Sequence, residues 1–135
     1  MATYLDRILE QHRSVAALDD RDTALLRERC ESMDEPRGFR AALGGASTLS
    51  VIAEVKRRSP SKGDLAVDLD PAGLAGTYED SGASCLSVLT DGPHFGGSAD
   101  DLASARQAVS LPVLREDFTV SANDVLDARL MGADA

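Results

Sequence analysis

The chain contains no tryptophan, and aromatic residues fill only 4% of its 135 positions. Its core must therefore be built mainly from aliphatic side chains. Cysteine is equally scarce: Cys30 and Cys85 are the only two, and no CxxC pair occurs. That usage excludes a disulfide scaffold and the common zinc frameworks, so no metal is expected. Cys85 lies in an apolar run and is expected to behave as a small buried hydrophobe. No apolar stretch is long enough to cross a bilayer. The first residues, MATYLDRILEQHRS, alternate charged with apolar side chains and lack the basic start and continuous apolar run of a signal peptide. A cytoplasmic location is the expectation. Positive charge is also in deficit. Fourteen Lys and Arg against 23 Asp and Glu give a formal net charge of -9. This disfavours nucleic acid and membrane surfaces as partners. It leaves room for an anionic small molecule, which a local cluster of cations or backbone N–H groups can hold.

What is present is a strong alternation of elements. Leu5, Ile8, Leu9, His12 and Val15 recur at three- and four-residue spacing, which predicts a helix with one apolar face. Thr3 is its candidate N-cap. A charged, helix-compatible run over 22–33 follows, and Pro36 and Gly38 break it. FRAAL makes a further helical turn before Gly44 and Gly45. Residues 1–48 thus read as a helical extension. From residue 49 the character changes. LSVIAEV predicts a strand over 50–56, and RRSPSKGD a loop broken by Pro60 and Gly63. Asp70 and Pro71 open a helix with Leu74 and Tyr78 on its packing face and Gly82 at its end. SCLSVLT predicts a second strand over 84–89, followed by the glycine-rich loop DGPHFGG. Ser98 with Asp101 caps a helix carrying Leu102, Ala105 and Val109. LPVLREDF predicts a third strand over 112–117; Ser121 with Asp124 opens a last helix carrying Val125, Leu126 and Leu130, ended by Gly132.

Three consecutive βα units predict an α/β fold with parallel strands and right-handed connections. Periodicity leaves both a barrel and a doubly wound sheet open. A complete eight-fold barrel needs ~200 residues or more. The chain is therefore expected to be truncated, with an open sheet edge past the third strand and a tendency to fold poorly or self-associate alone.

The first strand ends in Glu54-Val55-Lys56. Alternation puts Ile52, Glu54 and Lys56 on one face. In a barrel the C-terminal strand ends collect the active-site residues. A lysine there can hold a phosphate or carboxylate, and a glutamate beside it can orient the lysine or move protons. On spacing alone, an ordinary strand-end salt bridge remains the simpler reading. Arg57-Arg58-Ser59-Pro60-Ser61-Lys62-Gly63 is an anion-binding lid or, equally, a solvated basic turn; its glycine spacing is not that of a Walker loop. The third strand ends in Leu114-Arg115-Glu116-Asp117-Phe118, with Leu114, Glu116 and Phe118 on one face. Polar residues at two strand ends strengthen the case for a site. His94, in the loop after the second strand, is expected to be solvated.

IAEVKRRSPSKG closely resembles the first-strand signature of the indole-3-glycerol-phosphate synthases. The DP pair before the first barrel helix, SVLTD…FGGS after the second strand and LREDF at the third resemble the same family in the same order. The leading helices resemble the extension those enzymes carry. The resemblance implies a (β/α)8 TIM barrel, of which 49–135 form the first part. It also implies conversion of 1-(2-carboxyphenylamino)-1-deoxyribulose 5-phosphate to indole-3-glycerol phosphate, CO₂ and water in tryptophan biosynthesis. No organic cofactor or metal is implied. Glu54, Lys56 and the third-strand position Glu116 match catalytic positions. Lys56, Ser59, Phe95 and Phe118 match positions that face substrate, the two phenylalanines as an apolar wall. The partner is a phosphorylated small molecule; fusion to, or association with, other tryptophan-pathway enzymes belongs to the same expectation. One departure stands out: the family pattern has Lys-Asp-Phe where this chain has Glu116-Asp117-Phe118. The family lysine is a general acid, and a glutamate donates a proton at neutral pH only where its surroundings disfavour the ionised form. The competing readings are a catalytically inactive fragment or partner-dependent half-barrel, and another phosphate-binding barrel such as a phosphoribosylanthranilate isomerase relative. The first motif speaks against the latter.

Overall fold

A computed structural model describes residues 3–45 and 49–135. The expected boundary after residue 48 adjoins 46–48, outside the described residues. Helix α1 spans Tyr4–Ala17. Thr3 accepts the Asp6 N–H while the Asp6 carboxylate accepts the Thr3 N–H at 2.7 Å, a reciprocal cap worth about 1 kcal/mol. α2 (Thr23–Glu31) starts on Asp22, and α3 (Phe39–Gly44) is one and a half turns. β1 (Ile52–Val55) follows. Then come two short strands, β2 (Arg58–Ser59) and β3 (Gly63–Asp64), and α4 (Pro71–Asp80) capped by Asp70. β4 (Cys85–Leu89) leads into a single-turn α5 (Gly92–Phe95) and α6 (Ala99–Ala108) capped by Ser98. β5 (Val113–Glu116) precedes α7 (Ala122–Leu130), which opens with a reciprocal Ser121–Asp124 cap.

β1, β4 and β5 pair in parallel, in that order. The register sets Glu54 beside Ser87 and Ser87 beside Leu114, and Leu89 beside Glu116. One sheet face therefore presents Val55, Leu86, Val88 and Val113, all buried against Ala75 of α4 and Leu102 and Ala105 of α6. Ala128 of α7 and Met131 pack on the same cluster. The crossover helices α4 and α6, and α7 after β5, thus lie on one side of strands that follow chain order. A doubly wound sheet places helices on both faces. This is the winding of a TIM barrel, and the chain carries three of its βα units. Cys85 is fully buried, as its apolar run predicts.

Four expectations need correction. The stretch expected as a loop folds back as an antiparallel β2–β3 hairpin. Its turn is closed by the Lys62 N–H donating to Ser59 Oγ at 3.2 Å and by Gly63 at φ 71°, a left-handed conformation that costs a glycine little. The far edge of β5 is partly paired: the Asp134 N–H donates to Val113 O at 2.8 Å, and the Arg115 N–H to Ala135 O at 3.0 Å. On α1 only Ile8 is fully buried, and Val15 is 66% exposed. On α7 Val125 is exposed and Asn123 takes the buried position. Asn123 is there because its amide bridges to the extension, accepting from Thr23 Oγ1 at 2.8 Å and donating to Asp19 at 2.9 Å.

The extension is tied to the sheet at several points. The Arg37 guanidinium donates to the Val109 and Leu111 carbonyls at 2.9 and 2.8 Å. The buried Asp134 carboxylate accepts from the Arg37 and Val113 N–H groups and pairs with Arg106 at 3.0 Å. Burial pushes that carboxyl up, but Arg106 and the two N–H donors outweigh it and leave it below the ordinary carboxylate range.

Candidate active site

β1 delivers Lys56 to the C-terminal edge of the sheet, where its ammonium pairs with Glu54. The basic run beyond it divides by role. Arg57 grips Asp101 with both arms, at 2.8 and 2.9 Å, and also donates to the Val67 and Leu69 carbonyls. Asp101 holds the Arg57 proton more firmly than usual. Arg58 donates to the Pro93 carbonyl at 2.6 Å. Both arginines are thus spent on fixing the base of the hairpin to α6, to α5 and to the segment before α4. Lys56, Ser59, Ser61 and Lys62 instead line a cleft of about 520 Å³.

Phe95 and Phe118 form the apolar wall of that cleft, their ring centroids 6.2 Å apart. Tyr4, Leu5 and Ile8 of α1 close its outer side. Four of the sequence-predicted residues, Lys56, Ser59, Phe95 and Phe118, therefore meet in one space. Glu54 reaches it through its ion pair with Lys56. Glu116 does not line it. Its carboxylate is exposed on the same sheet face and accepts from Ser87 Oγ at 3.2 Å. Arg115 and Asp117 point the other way and pair with each other at 3.0 Å, with Thr90 bonded to both. The Asp117 carboxylate also accepts the Phe118 N–H at 2.7 Å, which fixes the start of the loop carrying that ring.

The β4 loop is held by close backbone packing. A Cβ on Gly97 would lie 2.0 Å from the Leu89 carbonyl oxygen, so only glycine fits. Asp91 caps α5, accepting the His94 and Phe95 N–H groups on Oδ1 at 2.7 and 3.2 Å. Its other oxygen meets His12 Nε2 at 3.0 Å and His94 Nδ1 at 3.3 Å. Burial pushes the Asp91 carboxyl up; the His94 N–H and the two imidazoles outweigh it and leave it below its ordinary value. The His12 ring packs on Phe118 with centroids 5.1 Å apart. His94 is thus not the solvated histidine expected from its loop: the one-turn helix folds its ring back onto Asp91. The sequence reading also missed the α1 residues at the cleft. Their signal was the apolar face of that helix, Leu5, Ile8 and His12, which needs something to cover.

The model of the indole-3-glycerol phosphate synthase family matches residues 5–135. The chain is 50% identical over 132 residues to the indole-3-glycerol phosphate synthase of a Parafrankia species, covering 96% of this chain and 49% of that protein. It is 48% identical to the one from Leptothrix cholodnii, covering 100% of this chain and 53% of the relative. For the one from Rhodopirellula baltica the identity is 46%, over 98% of this chain and 52% of the relative. The chain spans about half the length of the curated relatives it matches.

Proposed function

The chain belongs to the indole-3-glycerol phosphate synthase family, and from that premise we propose that the protein carrying it converts 1-(2-carboxyphenylamino)-1-deoxyribulose 5-phosphate to indole-3-glycerol phosphate, CO₂ and water. The observation that carries the reading is the cleft itself. It brings Lys56 and Lys62 into one space with Phe95 and Phe118. A substrate with an aromatic ring at one end and anionic groups around it needs this pairing of apolar wall and local cations, and needs it most in a protein of net charge -9.

The roles follow from position. Lys56 attracts the substrate's anionic groups and supports ring closure, and Glu54 keeps that ammonium oriented. Phe95 and Phe118 hold the anthranilate ring. Ser59 faces the substrate from the hairpin. Ring closure leaves negative charge on the carbonyl-derived oxygen, which takes a proton; Glu116 stands at the family's proton-donor position. The chemistry needs no metal or organic cofactor. Residues 1–48 act as an extension whose first helix covers the site, with 49–135 as the barrel portion. A cytoplasmic protein, alone or joined to other enzymes of tryptophan synthesis, fits this role. The test is to incubate the purified protein with the substrate and follow the indole chromophore by fluorescence. Product formed well above the uncatalysed rate is expected; its absence refutes the reading.

A further inference from the structure

The chain has two histidines, and both converge on one carboxylate. His12 comes from α1 and His94 from α5, 82 residues apart in sequence, with Asp91 between them at the N-cap of α5. We propose that His12, Asp91 and His94 form a binding site for a divalent transition-metal ion, Zn²⁺ being the reference case, which staples α1 over the cleft.

Three features support this. The donor set is right: two imidazole nitrogens and one carboxylate suit zinc and its neighbours, and leave a position for water. The geometry is close to ligation. The three ligand atoms lie within 4.8 Å of one another, with Asp91 Oδ2 at 3.0 and 3.3 Å from the two nitrogens. Ligand atoms around tetrahedral zinc sit about 3.3 Å apart. The carboxylate is also pre-positioned. Asp91 is 1% exposed, and its second oxygen is pinned by the His94 and Phe95 N–H groups. Such outer bonds orient a ligand before the ion arrives. The rings remain reachable from solvent, with side chains 24% and 15% exposed. Ligation requires each ring to present a lone pair, rather than an N–H, to the ion: His12 through Nε2 and His94 through Nδ1.

The site is distinct from the proposed chemistry, in which no metal takes part, and its test does not depend on turnover. The purified protein, stripped with a chelator, is titrated with Zn²⁺ by calorimetry and by thermal unfolding, and with Co²⁺ by visible absorption. Expected are saturable binding of one ion, a rise in Tm, and the intense visible bands of low-coordinate Co²⁺. Losing even an outer-shell partner typically weakens metal affinity ~10–100-fold, so His12→Asn and His94→Asn should each weaken Zn²⁺ binding by ~100-fold or more and abolish the Tm rise. Both variants keep a polar side chain at the position, and unchanged far-ultraviolet dichroism establishes that they fold. No binding to the parent protein overturns the proposal. So does binding that survives both substitutions, which would put the ion elsewhere.

Discussion

At the end of β5 stands Glu116, a proposed catalytic side chain that does not line the cleft. The resemblance sets a lysine there; Glu116 lies on the sheet face shared with Glu54 and Ser87, and its only side-chain partner among the described residues is Ser87 at 3.2 Å. Lysine is a cation and a proton donor at neutral pH without help. Glutamate repels an anionic substrate and, ionised, has no proton to give. Glu116→Lys in the complete protein is therefore expected to raise turnover ~10-fold or more, since a positioned general acid contributes ~10²–10⁴-fold. Steady-state formation of indole-3-glycerol phosphate measures it; a lower rate in the variant would make Glu116 a working acid or remove it from the proton path. The residue scale is also where sequence reading was least complete. Arg57 and Lys62 look alike in the string RRSPSKG. What separates them is that Arg57 finds Asp101, 44 positions later, and Lys62 finds the cleft. No local pattern encodes such a pairing. The same distance hid the convergence of His12 and His94 on Asp91.

At the scale of elements much more was legible, because the determining interactions are local. Thr3, Asp70, Ser98 and Ser121 each cap a helix through an N–H two or three residues on, so each start can be read from a short window. The three strands, four to five residues long, follow from segments rich in Val, Ile and Leu between turn signals. The β2–β3 hairpin was missed since its two-residue strands carry no periodic pattern. The tight spot in the β4 loop was hidden too, for Gly96 and Gly97 are adjacent in sequence and do unlike work. Gly96 adopts φ 67°, while Gly97 lies against the Leu89 carbonyl. Because that contact is backbone on backbone, no rotamer change can relieve it. Gly97→Ala should destabilise the protein by about 3 kcal/mol or more, read from the urea midpoint, and should disturb the segment that presents Phe95. An unchanged midpoint would show that the loop has slack this packing denies.

Over the whole molecule, three segments distant in sequence are joined at Asp134: the linker at Arg37, α6 at Arg106 and the start of β5 at Val113. Its carboxyl is held below the ordinary value in the folded state, while in the unfolded chain it titrates near ~3.9. The stabilisation is thus complete above that value and is lost as pH falls through the lower, folded-state one. Stability should fall steadily from about pH 5 downward. Asp134→Asn should show a shallower fall and, at pH 7, a loss of about 2–4 kcal/mol from leaving Arg106 without its partner; urea titrations across pH 3–7 compare the two, and parallel curves would exclude Asp134 as the source. The singly wound order of β1, β4 and β5 gives this framework its functional direction. It brings the polar ends of all three strands to one edge, beneath α1, with Lys56 at the mouth of the cleft. Periodicity alone could not choose that winding over a doubly wound sheet, since the choice lies in which face the helices cover. The most direct test of the account compares kcat/KM for the complete protein and its Lys56→Ala variant on 1-(2-carboxyphenylamino)-1-deoxyribulose 5-phosphate, with dichroism as the check on folding. The account predicts measurable turnover by the parent and a loss of ~10²-fold or more in the variant; equal activity of the two folded proteins would contradict it.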